Sequence, residues 1–160
     1  MTERNVLRIL FVCHGNICRS PTAEFLMRDM LKKRGLDGAV TVDSAATSTE
    51  ELGYPVYPPA RRKLAEHGID CTGKTARQIV KSDYDRYDMI IGMDRANLRN
   101  MARIFGGDRD GKISLLLDFT SHPRDVADPW YSGDFDRAWS DIEEGCTALT
   151  ETIIKEGMIK

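Results

Sequence analysis

Short apolar runs alternate along this chain with longer stretches whose apolar positions recur at helical spacing. The first run, Val6–Val12 (VLRILFV), suits a buried strand and stops at His14-Gly15-Asn16. From Ser20, SPTAEFLMRDMLKKRGL predicts a helix. Ser-Pro opens it, Phe25, Leu26, Met30 and Leu31 share one face, and Gly35 closes it. Ala39–Ala45 reads as a second strand, and Pro58–His67 as a short helix that begins on a Pro pair and ends at Gly68. Thr75–Val80 predicts a weaker helical turn. Tyr87–Met93 is a third strand, followed by a helix across Asp94–Ile104 with Asp94 as its cap, and Lys112–Leu117 is a fourth strand. The turn formers of Phe119–Phe135 predict a surface loop, and Phe135–Lys155 a closing amphipathic helix. Strands alternating with helices predict an α/β fold, a three-layer sandwich with a four-stranded parallel sheet and helices on both faces. No repeat, linker or low-complexity segment interrupts the 160 residues, so one domain is expected.

Composition narrows the function classes. The chain is 41% hydrophobic and 30% charged with a net charge of -2, which gives no global reason to bind nucleic acid or a membrane. An anion site must therefore be built locally. No apolar stretch is long enough to span a bilayer, and Met1–Leu10 lacks a signal-peptide pattern, so the expected compartment is the cytoplasm. The four cysteines, Cys13, Cys18, Cys71 and Cys146, then read as free thiols.

The segment Cys13-His14-Gly15-Asn16-Ile17-Cys18-Arg19-Ser20 joins the first strand to the first helix, where open α/β sheets bind ligands. Amide N–H groups at such a turn, with the helix N-terminus, form an anion cradle. Gly15 lets the backbone approach a phosphate, and Asn16 tolerates a left-handed conformation. A cysteine placed there ionises readily and becomes a nucleophile. Arg19 offers a planar fork that matches phosphoryl oxygens, and Ser20 a hydroxyl for the thiolate. Cys-x5-Arg alone is weak; the preceding strand, the Gly-Asn turn and the following helix are what give it weight.

CHGNICRSPTAE resembles the signature of the low-molecular-weight protein tyrosine phosphatase family. Agreement continues through VDSAATS, LAEHGI, ARQI, Met93–Leu98 and DPWYSGDFD. The resemblance implies a phosphotyrosine phosphatase I-like (flavodoxin-like) fold. It implies Cys13 as nucleophile, Arg19 as phosphate clamp, and His14, Gly15, Asn16, Ile17, Cys18 and Ser20 as the substrate-binding loop, with Ser44 beside it as a stabiliser. Read bare, Asp128-Pro129-Trp130-Tyr131 is only a turn signal in which two aromatics could wall a ring pocket. The resemblance makes Asp128 the general acid, and a cysteinyl-phosphate intermediate follows, with no metal and no cofactor. The expected partner is a phosphotyrosine protein, a bacterial tyrosine kinase being one candidate, with the chain acting as a monomer.

Other readings of the same residues differ in the chemistry they need. Arsenate reductases of this fold use two further cysteines close together near residue eighty, whereas Cys71 and Cys146 lie far apart. Protein arginine phosphatases of this fold typically carry threonine where Ile17 stands. Glu50 takes the place of a crevice aromatic common in the family, and this chain lacks a histidine that some relatives carry near the position of Lys74 and that helps order the cradle. Gly68–Thr75 (GIDCTGKT) matches the Walker A pattern but follows a charged helix where that motif needs a strand. Neither Cys13, His14 and Cys18 nor His67 and Cys71 have structural zinc spacing. Cys18 beside a reactive thiolate is placed to trap oxidised Cys13 as a disulfide. His67 reads as a cation at a helix C-terminus, Trp139 as core, and Tyr131 as a phosphorylation site in some relatives.

Overall fold

The computed structural model describes residues 6–159; residues 1–5, part of the segment read above for an export signal, lie outside the described residues. β1 (Leu7–Cys13) pairs in parallel with β2 (Val40–Ala46) on one side and β3 (Met89–Gly92) on the other, and β3 pairs with β4 (Ile113–Leu115), giving the order β2-β1-β3-β4. Period-two alternation divides β1 between two cores. Ile9, Phe11 and Cys13 join the cluster formed with α1 (Arg19–Lys33), α2 (Pro58–Glu66) and α6 (Phe135–Lys155). Leu10 and Val12 join the cluster formed with α3 (Asp83–Arg86) and α4 (Arg95–Phe105). Ile9 through Val12 are fully buried, each worth about 1.5–3 kcal/mol of transfer free energy. The three-layer α/β sandwich expected from the alternating pattern is the architecture found.

Most elements lie within a few residues of expectation, and α6 has the expected bounds. Asp94 caps α4 as anticipated, accepting from Asn97 N while Asn97 Oδ1 accepts from Asp94 N. Thr75–Val80 is not a helical turn. It runs extended, with Thr75 bridging Pro55 and Gln78 bridging Ala46. Ala46 N donates to Arg77 O and Ile79 N to Ala46 O, so pairing beyond the end of β2 satisfies amides that a one-turn helix would leave open. Lys112–Leu117 yields only a three-residue strand, followed by the 3₁₀ turn Leu116–Phe119. The Phe119–Phe135 loop contains the short helix α5 (Pro129–Ser132). The Walker-like Gly68–Thr75 follows α2 and leads into extended chain, so no helix opens at Lys74. All four cysteines are free and buried. Trp139 is 7% exposed in the core, and His67, just past α2, stacks on its ring at 4.2 Å.

Gly145 sits inside α6 where a Cβ would fall 2.4 Å from Leu116 Cγ, and Leu116 is fully buried. Alanine would gain about 1 kcal/mol of helix propensity but overpack the core by about 1–3 kcal/mol. Gly145→Ala is therefore expected to lower Tm by a few degrees in a thermal melt; an increase would mean that Leu116 moves aside at no cost.

Candidate functional site

β1 and β3 end side by side at the point where the strand order reverses, so their carboxyl ends open a crevice. Cys13 ends β1, Arg19 begins α1, and the residues between them curl around the Cys13 sulfur. Asn16 N donates to Cys13 Sγ at 3.3 Å and Ser20 N at 3.4 Å, and Ser20 Oγ lies 3.0 Å away. Asn16 Nδ2 donates to Ser20 Oγ at 2.8 Å, which leaves the hydroxyl hydrogen free to point at the sulfur. The curl requires Asn16 at φ 58°, the only positive φ at a non-glycine among the described residues.

That conformation is held by side-chain bonds. Asn16 Nδ2 also donates to Ser44 Oγ at 2.9 Å, and Asn16 Oδ1 accepts from Arg77 N at 3.2 Å. Ser44 donates onward to Glu24, which is 2% exposed and also meets Lys74 Nζ at 3.2 Å and Arg28 NH2 at 2.6 Å. Lys74 Nζ donates to Ser44 O as well, at 2.9 Å. A lysine–glutamate pair thus stands directly behind the cradle.

Arg19 is 3% exposed and held from one side. Its NH1 donates to Asp94 Oδ2 at 2.8 Å and to Val126 O at 3.2 Å, while NH2 reaches Asp128 Oδ2 at 3.4 Å. Burial works against the guanidinium charge, but Cys13, Asp128 and Asp94 outweigh it and push its pKa above the ordinary arginine value. Asp94 serves two masters, Oδ1 capping α4 and Oδ2 fixing Arg19. Asp128 Oδ1 accepts from Trp130 N at 3.1 Å, so the carboxyl also caps α5. The loop before it is anchored by Val126 N to Met93 O and by Ala127 N to Asp141 Oδ2 on α6.

These groups surround a cavity of about 230 Å³. Of the residues expected from the sequence, Cys13, His14, Gly15, Ile17, Cys18, Arg19, Asp128, Trp130 and Tyr131 line it. Asn16 and Ser20 do not; both are wholly buried and bond the sulfur from behind. Trp130 is 52% and Tyr131 85% exposed, and Tyr57 packs against Trp130 at 5.1 Å as a buttress and not as a wall. Glu50 and Glu51 line the mouth, with Glu50 Oε1 3.1 Å from His14 Nε2. The Cys18 thiol is pushed up to about 12, first by burial and then by Cys13 and Asp128. Glu24, Lys74, Arg77, Asp141 and the second oxygen of Asp94 escape a reading of the sequence. Glu24 left one trace, an acid in the same helical row as Met27 and Leu31, both buried. Among the described residues no group of three or more His, Cys, Asp or Glu could hold a metal ion.

A family model described as low molecular weight phosphotyrosine protein phosphatase matches residues 8–158. The chain is 39% identical over 153 residues to the low molecular weight protein-tyrosine-phosphatase YfkJ of Bacillus subtilis, covering 94% of this chain and 98% of that one. It is 35% identical over 156 residues to the low molecular weight phosphotyrosine protein phosphatase of Gallus gallus, covering 94% and 98%. The crystal structure of YfkJ superposes with a TM-score of 0.93 at 37% identity, over 97% of this chain and 99% of that one.

Glu24→Leu would strand the Lys74 ammonium, whose side chain is 14% exposed, at a cost on the order of 3 kcal/mol in urea unfolding. Adding Lys74→Met removes the stranded charge and is expected to restore part of that loss. A double variant no more stable than the single one would mean that the pair does not hold the cradle together.

Proposed function

The chain belongs to the low molecular weight phosphotyrosine protein phosphatase family, and from that premise we propose that it hydrolyses phosphotyrosine in proteins, with Cys13, Arg19 and Asp128 carrying the chemistry. The observation that supports this most is the convergence on Cys13 Sγ of two amide N–H groups and a hydroxyl, with Arg19 clamped in the same curl. In the first step the thiolate attacks phosphorus, the bond from phosphorus to the tyrosyl oxygen breaks, and Asp128 passes its proton to the departing phenolate. Water then attacks the cysteinyl-phosphate, Asp128 takes the water's proton, and the phosphorus–sulfur bond breaks to return the thiolate. Arg19 and the loop amides stabilise the equatorial oxygens in both steps. Trp130 and Tyr131 give the phenyl ring a wall above the cradle.

Two features weigh against the sister activities. Ile17 lines the cavity without a hydroxyl to assist attack on phosphoarginine. An electron relay to arsenate would need paired thiols, yet Cys146 is fully buried in α6 with its Sγ facing Ala23 O.

The deciding measurement is phosphate release from a phosphotyrosine peptide in EDTA, without thioredoxin. Wild type is expected to turn over and Cys13→Ser to be inactive; no release by folded wild type would overturn the reading. Asp128→Asn should lower kcat on phosphotyrosine by about 10²–10⁴, and by less on an aryl phosphate whose phenolate leaves unaided. Equal losses on both substrates would remove Asp128 from the acid role.

We further propose that Cys18 protects Cys13. Peroxide converts the Cys13 thiolate to a sulfenic acid, and the Cys18 thiolate displaces hydroxide from it to form a disulfide. With its pKa raised to about 12, Cys18 is protonated at neutral pH, so closure should be slow there and quicken as pH rises toward that value. Oxidised wild type should regain activity with dithiothreitol and Cys18→Ser should not; full recovery of Cys18→Ser would refute the role.

A further inference from the structure

The proposed chemistry uses the floor of the cavity and leaves its two shoulders unexplained. The order β2-β1-β3 places the loop after β2 on one side of the cradle and α4, which follows β3, on the other. With strands about 4.8 Å apart, the shoulders stand roughly 10 Å from each other across the mouth.

The β2 shoulder is acidic. Glu50 and Glu51 line the cavity, and Glu51 lies so close over the cradle that a Cβ on Gly15 would come 3.2 Å from its Cγ. Glu50 leans toward His14. The α4 shoulder is basic. Ala96 and Asn100 line the cavity, and Arg95, Arg99 and Arg103 follow at four-residue spacing along the adjoining outward face. All three are exposed, and none forms an ion pair among the described residues. Arg103 NH2 donates to Asn100 Oδ1, which ties the stripe to the cavity wall.

The fold gains nothing from Arg95 and Arg99; only Arg103, in the last turn of α4, meets the favourable end of the macrodipole. Like charges four residues apart destabilise a helix, and Arg95 stands at the end of α4 where the macrodipole repels a cation. At 1.5 Å rise per residue the stripe runs about 12 Å, the span of roughly four residues of extended peptide.

We propose that the mouth is bipolar toward its protein substrate, the segment bearing the phosphotyrosine lying across it with acidic residues along Arg95, Arg99 and Arg103 and a basic residue against Glu50 and Glu51. This rests on the phosphotyrosine reading of the cavity and specifies the flanks of the substrate.

Binding of phosphotyrosine peptides to the Cys13→Ser protein, followed by fluorescence anisotropy, tests it. The peptides carry acidic residues on one flank and basic residues on the other, in both chain directions, or acidic, basic or neutral residues on both flanks. The better bipolar peptide should bind about 3- to 10-fold tighter than the neutral, all-acidic and all-basic ones at low salt. The advantage should collapse in about 0.5 M salt. Arg95→Glu/Arg99→Glu should abolish the benefit of the acidic flank. Affinities equal within about twofold, no binding, or an advantage that survives the double substitution would each overturn the proposal. Turnover of a small aryl phosphate by the wild type reports on the cradle separately. Turnover there with indifferent flanks sinks only the bipolar mouth, whereas its absence sinks the phosphatase reading.

Discussion

The side chain of Asn16 is the fastening on which the site depends. A non-glycine residue at φ 58° costs conformational energy, and here the return lies in geometry: the curl brings the Asn16 amide onto the Cys13 sulfur. The amide side chain offsets that strain by bonding Ser20, Ser44 and the Arg77 backbone at once. Each partner belongs to a different segment, namely the start of α1, the end of β2 and the extended strand beyond α2. The loop's shape is therefore fixed by tertiary structure and not by its own sequence alone.

The same network explains two departures from expectation. Thr75–Val80 is drawn into extended pairing because Arg77 must present its N–H to Asn16 and its carbonyl to Ala46. A helical turn there would direct those groups along its own axis. Lys74, which the sequence shows inside a phosphate-loop pattern, is instead turned to Glu24 and Ser44 O. There it bridges the carboxylate that accepts from Ser44 Oγ and the Ser44 carbonyl, so it ties the cradle's support together by charge pairing. A buried ionic pair of this kind is weak evidence for stability on its own, because desolvation offsets much of the Coulombic gain.

Most of the scaffold was legible because β1, α1, α4 and α6 carry strong periodic patterns with clear caps and stops. Cys13 and Arg19 stood out for a different reason, since the chemistry proposed for them needs particular residue types at a strand–helix junction, whereas Asp128 stood out only through the family resemblance. What stayed hidden works through distant pairings. Asp94 announces itself as a helix cap, and nothing local says that its other oxygen holds Arg19. Asp141 sits on a helix whose pattern is amphipathic, and its task of holding the Ala127 amide arises only when α6 meets the acid loop. Polar bonds between residues far outside one helical turn of each other leave no period in a sequence.

Charge balance ties these parts to the proposed cycle. In the proposed cycle a phosphate monoester would bring up to two negative charges into a site where Asp94 and Asp128 already face the single guanidinium of Arg19. Asp94 and Val126 O occupy NH1, which leaves the other edge of the fork for the phosphoryl group and Asp128. One arginine does not offset that sum. In the proposed cycle the remainder would come from backbone amides at the start of α1, whose partial positive charge amounts to about half an elementary charge, and from the proton assigned to Asp128 in the first step. The proton that lowers the repulsion is also the one the departing phenolate needs. On the proposed cycle, a chain with a net charge of -2 would bind its anion through oriented dipoles and one well-placed proton, with no basic surface needed for that step.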